Sequence, residues 1–151
     1  GSKSLTDEIA ESPINAGQLV LSPTRTYAPL VKRILSENRQ AVRGMVHCSG
    51  GGQTKVLHFV DEVHIIKDNM LPIPPLFALI QSESQTDWKE MYRVFNMGHR
   101  LEIYTDAQYA EGMIAMAKEL GIQAQVIGRV EESQDKKLSI ITPNGTFEYH
   151  Q

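Results

Sequence analysis

The chain has 151 residues, 41% hydrophobic and 22% charged, with 15 Lys and Arg against 18 Asp and Glu for a formal net charge of -3. That length suits one domain burying roughly two-thirds of the surface its unfolded chain exposes, so its core needs no staples. The balance leaves no electrostatic footprint for nucleic acid, no apolar run approaches the ~20 residues that span a bilayer, and the single cysteine, Cys48, allows no internal disulfide and suits a reducing cytoplasm.

Gly1-Ser2 reads as a tag remnant, and residues 1–18 as that remnant plus a mobile or extended linker lead-in with a turn at Ser12-Pro13; the folded domain is expected over 19–151. Leu19-Val20-Leu21 is a short apolar run ended by Ser22-Pro23-Thr24. Thr24 or Thr26 then caps a helix of about three turns that carries Tyr27, Leu30, Val31, Ile34 and Leu35 on one face, with Pro29 tolerated in its first turn. Gly44 to Ser49 reads as a strand, Val46 and Cys48 on one face and Met45, His47 and Ser49 on the other. A second strand is expected over Glu62 to Asp68.

Pro72-Ile73-Pro74-Pro75 forbids a central strand and turns into a helix bearing Leu76, Phe77, Leu79 and Ile80. Asp87 to Phe95 is a further short helix, stopped by Gly98, and Leu101 to Tyr104 alternates as a strand does. Thr105 or Asp106 caps the longest helical stripe, Tyr109, Met113, Ile114, Met116, Ala117 and Leu120, which ends at Gly121. A strand over Ile122 to Val130 follows, then two more around the hairpin signal Asn144-Gly145. Together these elements predict an α+β fold, a mixed β-sheet covered by helices.

Chemistry concentrates where the Gly44 strand runs into Gly50, Gly51 and Gly52. Consecutive glycines let backbone N–H groups converge on an anion, although a Walker pattern is not met and a Gly-rich turn is more often only a turn. His47 precedes them and points from the strand end toward whatever they hold, suited to donating or shuttling a proton near neutral pH; the plainer role is a core histidine bonded to a carbonyl. Cys48 cannot join it as a dyad, because neighbouring strand residues face opposite ways. Thr24 and Arg25 open a helix, where a hydroxyl and a guanidinium can grip a phosphate or serve as cap and salt bridge. Arg93 and Asn96 flank Phe95 and face either a cleft or simply the end of a helix. His58, His64, His99 and His150 have no metal-ligand spacing, so no metal is expected on this chain.

Leu21 to Tyr27, Gly44 to Gly52 and Glu90 to Gly98, in this order, resemble the C-terminal domain of the aminoimidazole ribonucleotide synthetases, the phosphoribosylformylglycinamidine cyclo-ligases. The resemblance runs from about Leu19 to about Val130. It implies a layered α/β sandwich and a role in ATP-dependent closure of the imidazole ring of formylglycinamidine ribonucleotide. ATP and Mg2+ would be bound chiefly by an N-terminal domain absent from this chain, in a cytoplasmic homodimer whose isolated C-terminal domain is inactive. His47 is then the catalytic candidate, and Thr24, Arg25, Gly50, Gly51, Gly52, Arg93 and Asn96 line the substrate side. Two stretches depart from the family pattern. Gln53-Thr54-Lys55-Val56-Leu57-His58 replaces an Asn-x-Pro-Arg segment, with Lys55 a candidate for the missing cation, and His99-Arg100 stand where a second glycine is usual. Another ATP-dependent enzyme of the superfamily (selenophosphate synthetase, thiamine monophosphate kinase or hydrogenase maturation type) or a non-catalytic phosphate- or nucleotide-binding module is the alternative.

Overall fold

Period-two alternation in the sequence resolves into two sheets in a computed structural model that describes residues 3–23 and 25–150. In chain order the elements are α1 (Ala16–Val20), α2 (Ala28–Asn38), β1 (Val42–His47), a 3-10 helix over Gly52–His58, β2 (Val63–Lys67), α3 (Pro75–Ser84) and α4 (Trp88–Val94). There follow β3 (Leu101–Thr105), α5 (Ala107–Glu119), β4 (Gly128–Glu132), β5 (Lys137–Thr142) and β6 (Gly145–His150). β1 and β3 form an antiparallel pair, and a second sheet runs β4-β2-β5-β6, with β2 and β5 parallel and the other pairs antiparallel. The fold is α+β, as the residue pattern predicts, with the sheet divided in two.

Two hydrophobic clusters set the layers. Val46 of β1 and Cys48 just beyond its end face inward with Ile65, Leu138, Ile140 and Tyr149 of the four-stranded sheet, and Val56, Leu57, Phe77, Met91 and Tyr92 of the helices close this core. The other face of the β1–β3 pair presents Met45 and Ile103 to α2 and α5, where Leu30, Ile34, Met113, Met116 and Ala117 are buried. The two-stranded sheet is therefore covered on both faces. Helical periodicity sees α5 and α2 because each buries one stripe; the strands of the first core are legible because Leu138 and Ile140 alternate with polar neighbours.

Three expectations change. Of the expected 122–130 strand only 128–130 joins a ladder, which runs on to Glu132. Residues 122–127 are tied down singly instead, by Asn69 Nδ2 donating to Val126 O (2.7 Å), Gln125 Nε2 donating to Asn69 O (2.7 Å) and Asp68 N–H donating to Ile127 O (3.1 Å). The expected caps of α2 and α5 are also diverted. Asp106 occupies the N-cap position of α5 but gives its carboxylate to Arg43, the residue bulged out between Val42 and Gly44, while Thr105 Oγ1 donates to Ala41 O. At α2 the N-cap position is Tyr27, whose own side chain makes no cap, Thr26 Oγ1 instead accepting the Ala28 N–H (3.4 Å) from one residue earlier, and Thr24 lies outside the described residues. Finally, part of the lead-in is folded. Asn15 and Gln18 make a capping box that starts α1, Glu8 pairs with Asn15, and Ile9 and Ala16 are buried.

Candidate functional site

β1 ends at His47 because the next residues leave the ladder in a turn. Cys48 N–H still donates to Arg100 O (2.9 Å), but Gly52 N–H donates back to Ser49 O (3.2 Å), and Gly51 and Gly52 take left-handed backbone angles of +88° and +48°. The three glycines are not equivalent. Gly50 is exposed, with open space where a Cβ would stand, whereas a Cβ on Gly52 would meet Phe95 O at 2.6 Å and Tyr92 O at 2.7 Å. Gly52 is thus a packing glycine that seats the loop on the end of α4, which leaves Gly50 and Gly51 as the glycines free of that contact. Lys55, one turn into the 3-10 helix, folds back so that Nζ donates to Ser49 Oγ (2.9 Å).

His47 is exposed at the mouth of this loop, its ring edge-on to Tyr27 at 6.3 Å between centroids. Asn96 reaches the loop through its backbone: its carbonyl accepts Gln53 Nε2 (2.6 Å), while its Oδ1 accepts Gly98 N–H (2.9 Å) to close the turn after α4. The two arginines go elsewhere. Arg25 Nη1 donates to Gly121 O (2.6 Å) at the end of α5, and Arg93 lies exposed against Glu90 (2.6 Å) one turn away on α4. The structure therefore gathers His47, Gly50, Gly51, Gly52 and Asn96 and sends Arg25 and Arg93 to local partners.

Beneath the loop lies a group that the sequence reading missed. Lys67, at the end of β2, and Glu102, in β3, are both buried and form an ion pair across the two sheets. Lys67 Nζ also donates to Gln53 O (3.0 Å) and Gln53 Oε1 (2.9 Å), and Tyr104 Oη donates to Glu102 Oε2 (2.7 Å). Burial, then the Glu102 charge, pushes the Tyr104 hydroxyl well above its ordinary range, so it acts only as a donor. Cys48 lies beside the same carboxylate; burial first, then Glu102, raises its thiol to about 12, which leaves it inert. His99 is buried too, with Nε2 accepting Leu71 N–H (3.0 Å); burial and then Lys67 lower it to about 4, so its ring is neutral at pH 7. Every buried side-chain polar atom among the described residues has a partner. The available signal was parity: Lys67 shares the inward side of β2 with Ile65, and Glu102 shares that of β3 with Tyr104, two opposite charges on facing inner surfaces.

A groove of about 1030 Å³ runs between β3 and the 122–130 stretch, with aliphatic walls that include Leu101, Ile103, Ile114, Ile127 and Val130. It touches Lys67, Glu102 and His99 from one side without reaching the glycines. Size alone favours this groove as a ligand site; the converging polar groups favour the loop.

Residues 3–141 match the family model described as AIR synthase related protein, C-terminal domain. Among curated relatives, the phosphoribosylformylglycinamidine cyclo-ligase of Methanocaldococcus jannaschii is 31% identical over 146 residues, covering 97% of this chain and 41% of that protein. The Methanococcus vannielii protein of the same name is 36% identical over 115 residues, covering 76% of this chain and 32% of its own. The chain thus spans about two-fifths or less of these relatives' length. Among solved structures, the hydrogenase maturation protein HypE of E. coli superposes with a TM-score of 0.59 at 21% identity over 83% of this chain and 38% of its own, and HypE in a HypE–HypF complex with 0.62 at 20% over 93% and 44%. These structural likenesses bear on the fold alone, and the sequence matches carry the assignment: the chain belongs to the AIR synthase related family as its C-terminal domain.

Proposed function

We propose that this domain is the substrate-side part of an ATP-dependent cyclo-ligase of de novo purine biosynthesis. The whole protein closes the imidazole ring of formylglycinamidine ribonucleotide, giving aminoimidazole ribonucleotide, ADP and phosphate, as a homodimer in the cytoplasm. The observation that carries this reading is the seating of Gly52 on Tyr92 and Phe95, which makes one corner of the glycine loop and the Glu90 to Gly98 motif. In that corner the amides of Gly50 and Gly51 and the Lys55 ammonium face an anionic group of the substrate, the Ser49 N–H being spent on His47 O (2.9 Å), and Lys55 supplies the cation that Arg25 and Arg93, paired elsewhere, do not. His47 moves or donates the proton at the reacting amide.

ATP and Mg2+ belong to the part of the protein outside this chain. Among the described residues no three His, Cys, Asp or Glu side chains gather as metal ligands, and no step here is routed through a metal.

The test is ATP-dependent formation of the imidazole product by the full-length protein. His47→Ala is expected to lower kcat at least about a hundredfold, the usual reach of a positioned proton donor, with a small melting shift because the side chain is exposed. A folded full-length protein that binds nucleotide without turnover overturns the cyclo-ligase reading in favour of a binding module. Unchanged kcat in His47→Ala removes His47 from the chemistry.

A further inference from the structure

The glycine loop is held at its exit by a buried charge pair: Gln53 gives both its carbonyl and its Oε1 to Lys67 Nζ, at 3.0 and 2.9 Å, and Lys67 is paired with Glu102. Gln53 then passes the constraint on, because its Nε2 donates to Asn96 O at 2.6 Å and lies 3.5 Å from His99 O. Tyr104 fixes the far oxygen of Glu102. Residues 53 and 99 fall in the two stretches that depart from the family pattern, and the structure brings those departures into one bonded unit.

Lys67, Glu102, His99 and Tyr104 border the aliphatic groove from one side, but each is bonded within the protein, and it is those internal bonds that carry the inference. Desolvating two charges is costly, and well-packed apolar residues of similar volume often hold a core equally well. What an apolar replacement lacks is direction: with one bond of the ammonium held by Glu102, the other two fix both the backbone and the side chain of Gln53, and through it the carbonyls after α4.

We infer that Lys67, with Glu102 as its counter-ion, is a positioning residue for the proposed substrate loop, locking the Ser49–Gly52 turn and the Asn96–His99 turn into a single arrangement. The inference rests on the reading of the loop as an anion site given above. Losing this lock leaves the two cores intact but lets the loop sample several geometries, so that its amides no longer converge.

The experiment compares this chain with a variant carrying Lys67→Met, Glu102→Leu and Tyr104→Phe, which removes the charges and the hydroxyl together and leaves no unpaired ion. Two readouts are taken: amide exchange at Gly52 and Thr54, whose N–H groups are bonded to Ser49 O and Gly51 O, and NMR titration of the Gly50 and Gly51 amides with inorganic phosphate. The expected result is a melting temperature within a few degrees of the parent, exchange at Gly52 and Thr54 at least tenfold faster, and phosphate binding weakened at least tenfold. Exchange at Gly52 and Thr54 matching the parent, in a folded variant, overturns the inference. If the triple variant does not fold, Gln53→Leu, which keeps the ion pair and its bond to the residue 53 carbonyl but removes the side-chain bonds to Lys67 and to Asn96 O, takes its place with the same criteria. A parent chain whose loop amides ignore phosphate counts against the anion site itself, and the exchange comparison still decides the positioning role.

Discussion

Gly52 rests on Phe95 so closely that any side chain at position 52 would collide with the Phe95 carbonyl, the nearest approach being 2.6 Å for a Cβ. Its backbone also lies in the left-handed region at +48°, where an L side chain is strained by about 1–2 kcal/mol. Gly52→Ala is therefore expected to destabilise the domain by about 3 kcal/mol or more, since the clashing atoms are backbone and cannot rotate away. Gly50→Ala, with open space around it, is expected to stay within about 0.5 kcal/mol. Urea unfolding of the two variants checks this, and equal losses would dissolve the distinction between a packing and an open glycine.

Acid should weaken the fold through His99. Its folded value near 4 lies below the ordinary 6.5, so between those values the unfolded chain holds a proton that the folded one refuses. Stability from this group is complete above about pH 6.5 and is lost as pH falls toward 4, by at most about 3 kcal/mol. His99→Gln, which keeps an acceptor for Leu71 N–H without titrating, is expected to flatten that stretch of the pH–stability curve. A curve as steep as the parent's would assign the acid sensitivity to other groups.

Removing one member of the buried pair should cost far more than removing both. Glu102→Leu leaves the Lys67 ammonium without its counter-ion in the core and is expected to cost about 3–5 kcal/mol. Lys67→Met in addition, with Tyr104→Phe, is expected to restore most of that loss. Thermal melts of the single and triple variants measure it, and additive losses would contradict the coupling.

Two aspartates at helix starts should behave differently. Asp87 Oδ1 accepts Lys89 N–H (2.8 Å) and caps α4, so Asp87→Ala is expected to cost about 1 kcal/mol. Asp106 occupies the same position on α5 but holds the exposed Arg43 instead, and Asp106→Ala is expected to cost no more than about 0.5 kcal/mol. Chemical denaturation of both resolves the difference.

The contrast between elements shows what the residue pattern carries. α2, α5 and the β5–β6 hairpin are legible because each has one apolar face and local punctuation at its ends: Pro29, Gly121, Asn144-Gly145. The 3-10 helix after Gly52 is not, since its Val56 and Leu57 are buried together with Gln53 and Thr54, and no polar face marks it. Residues 122–127 alternate like a strand, yet side chains from Asn69 and Gln125 satisfy this stretch in place of a ladder. In the candidate site, the loop and His47 were visible as a glycine run after a strand. Lys67 and Glu102 were not, because one charge in a half-polar strand reads as outward-facing until the register with its partner is known.

The Lys67–Glu102 pair also shapes how such sequences can diverge. A descendant that loses the amine strands an acid in oil, and one that loses the acid strands the amine, so neither intermediate is readily tolerated. Across a collection of kindred chains these two columns should behave as a single inherited character, present together or replaced together, and the residue that follows the glycine run should change in step with them.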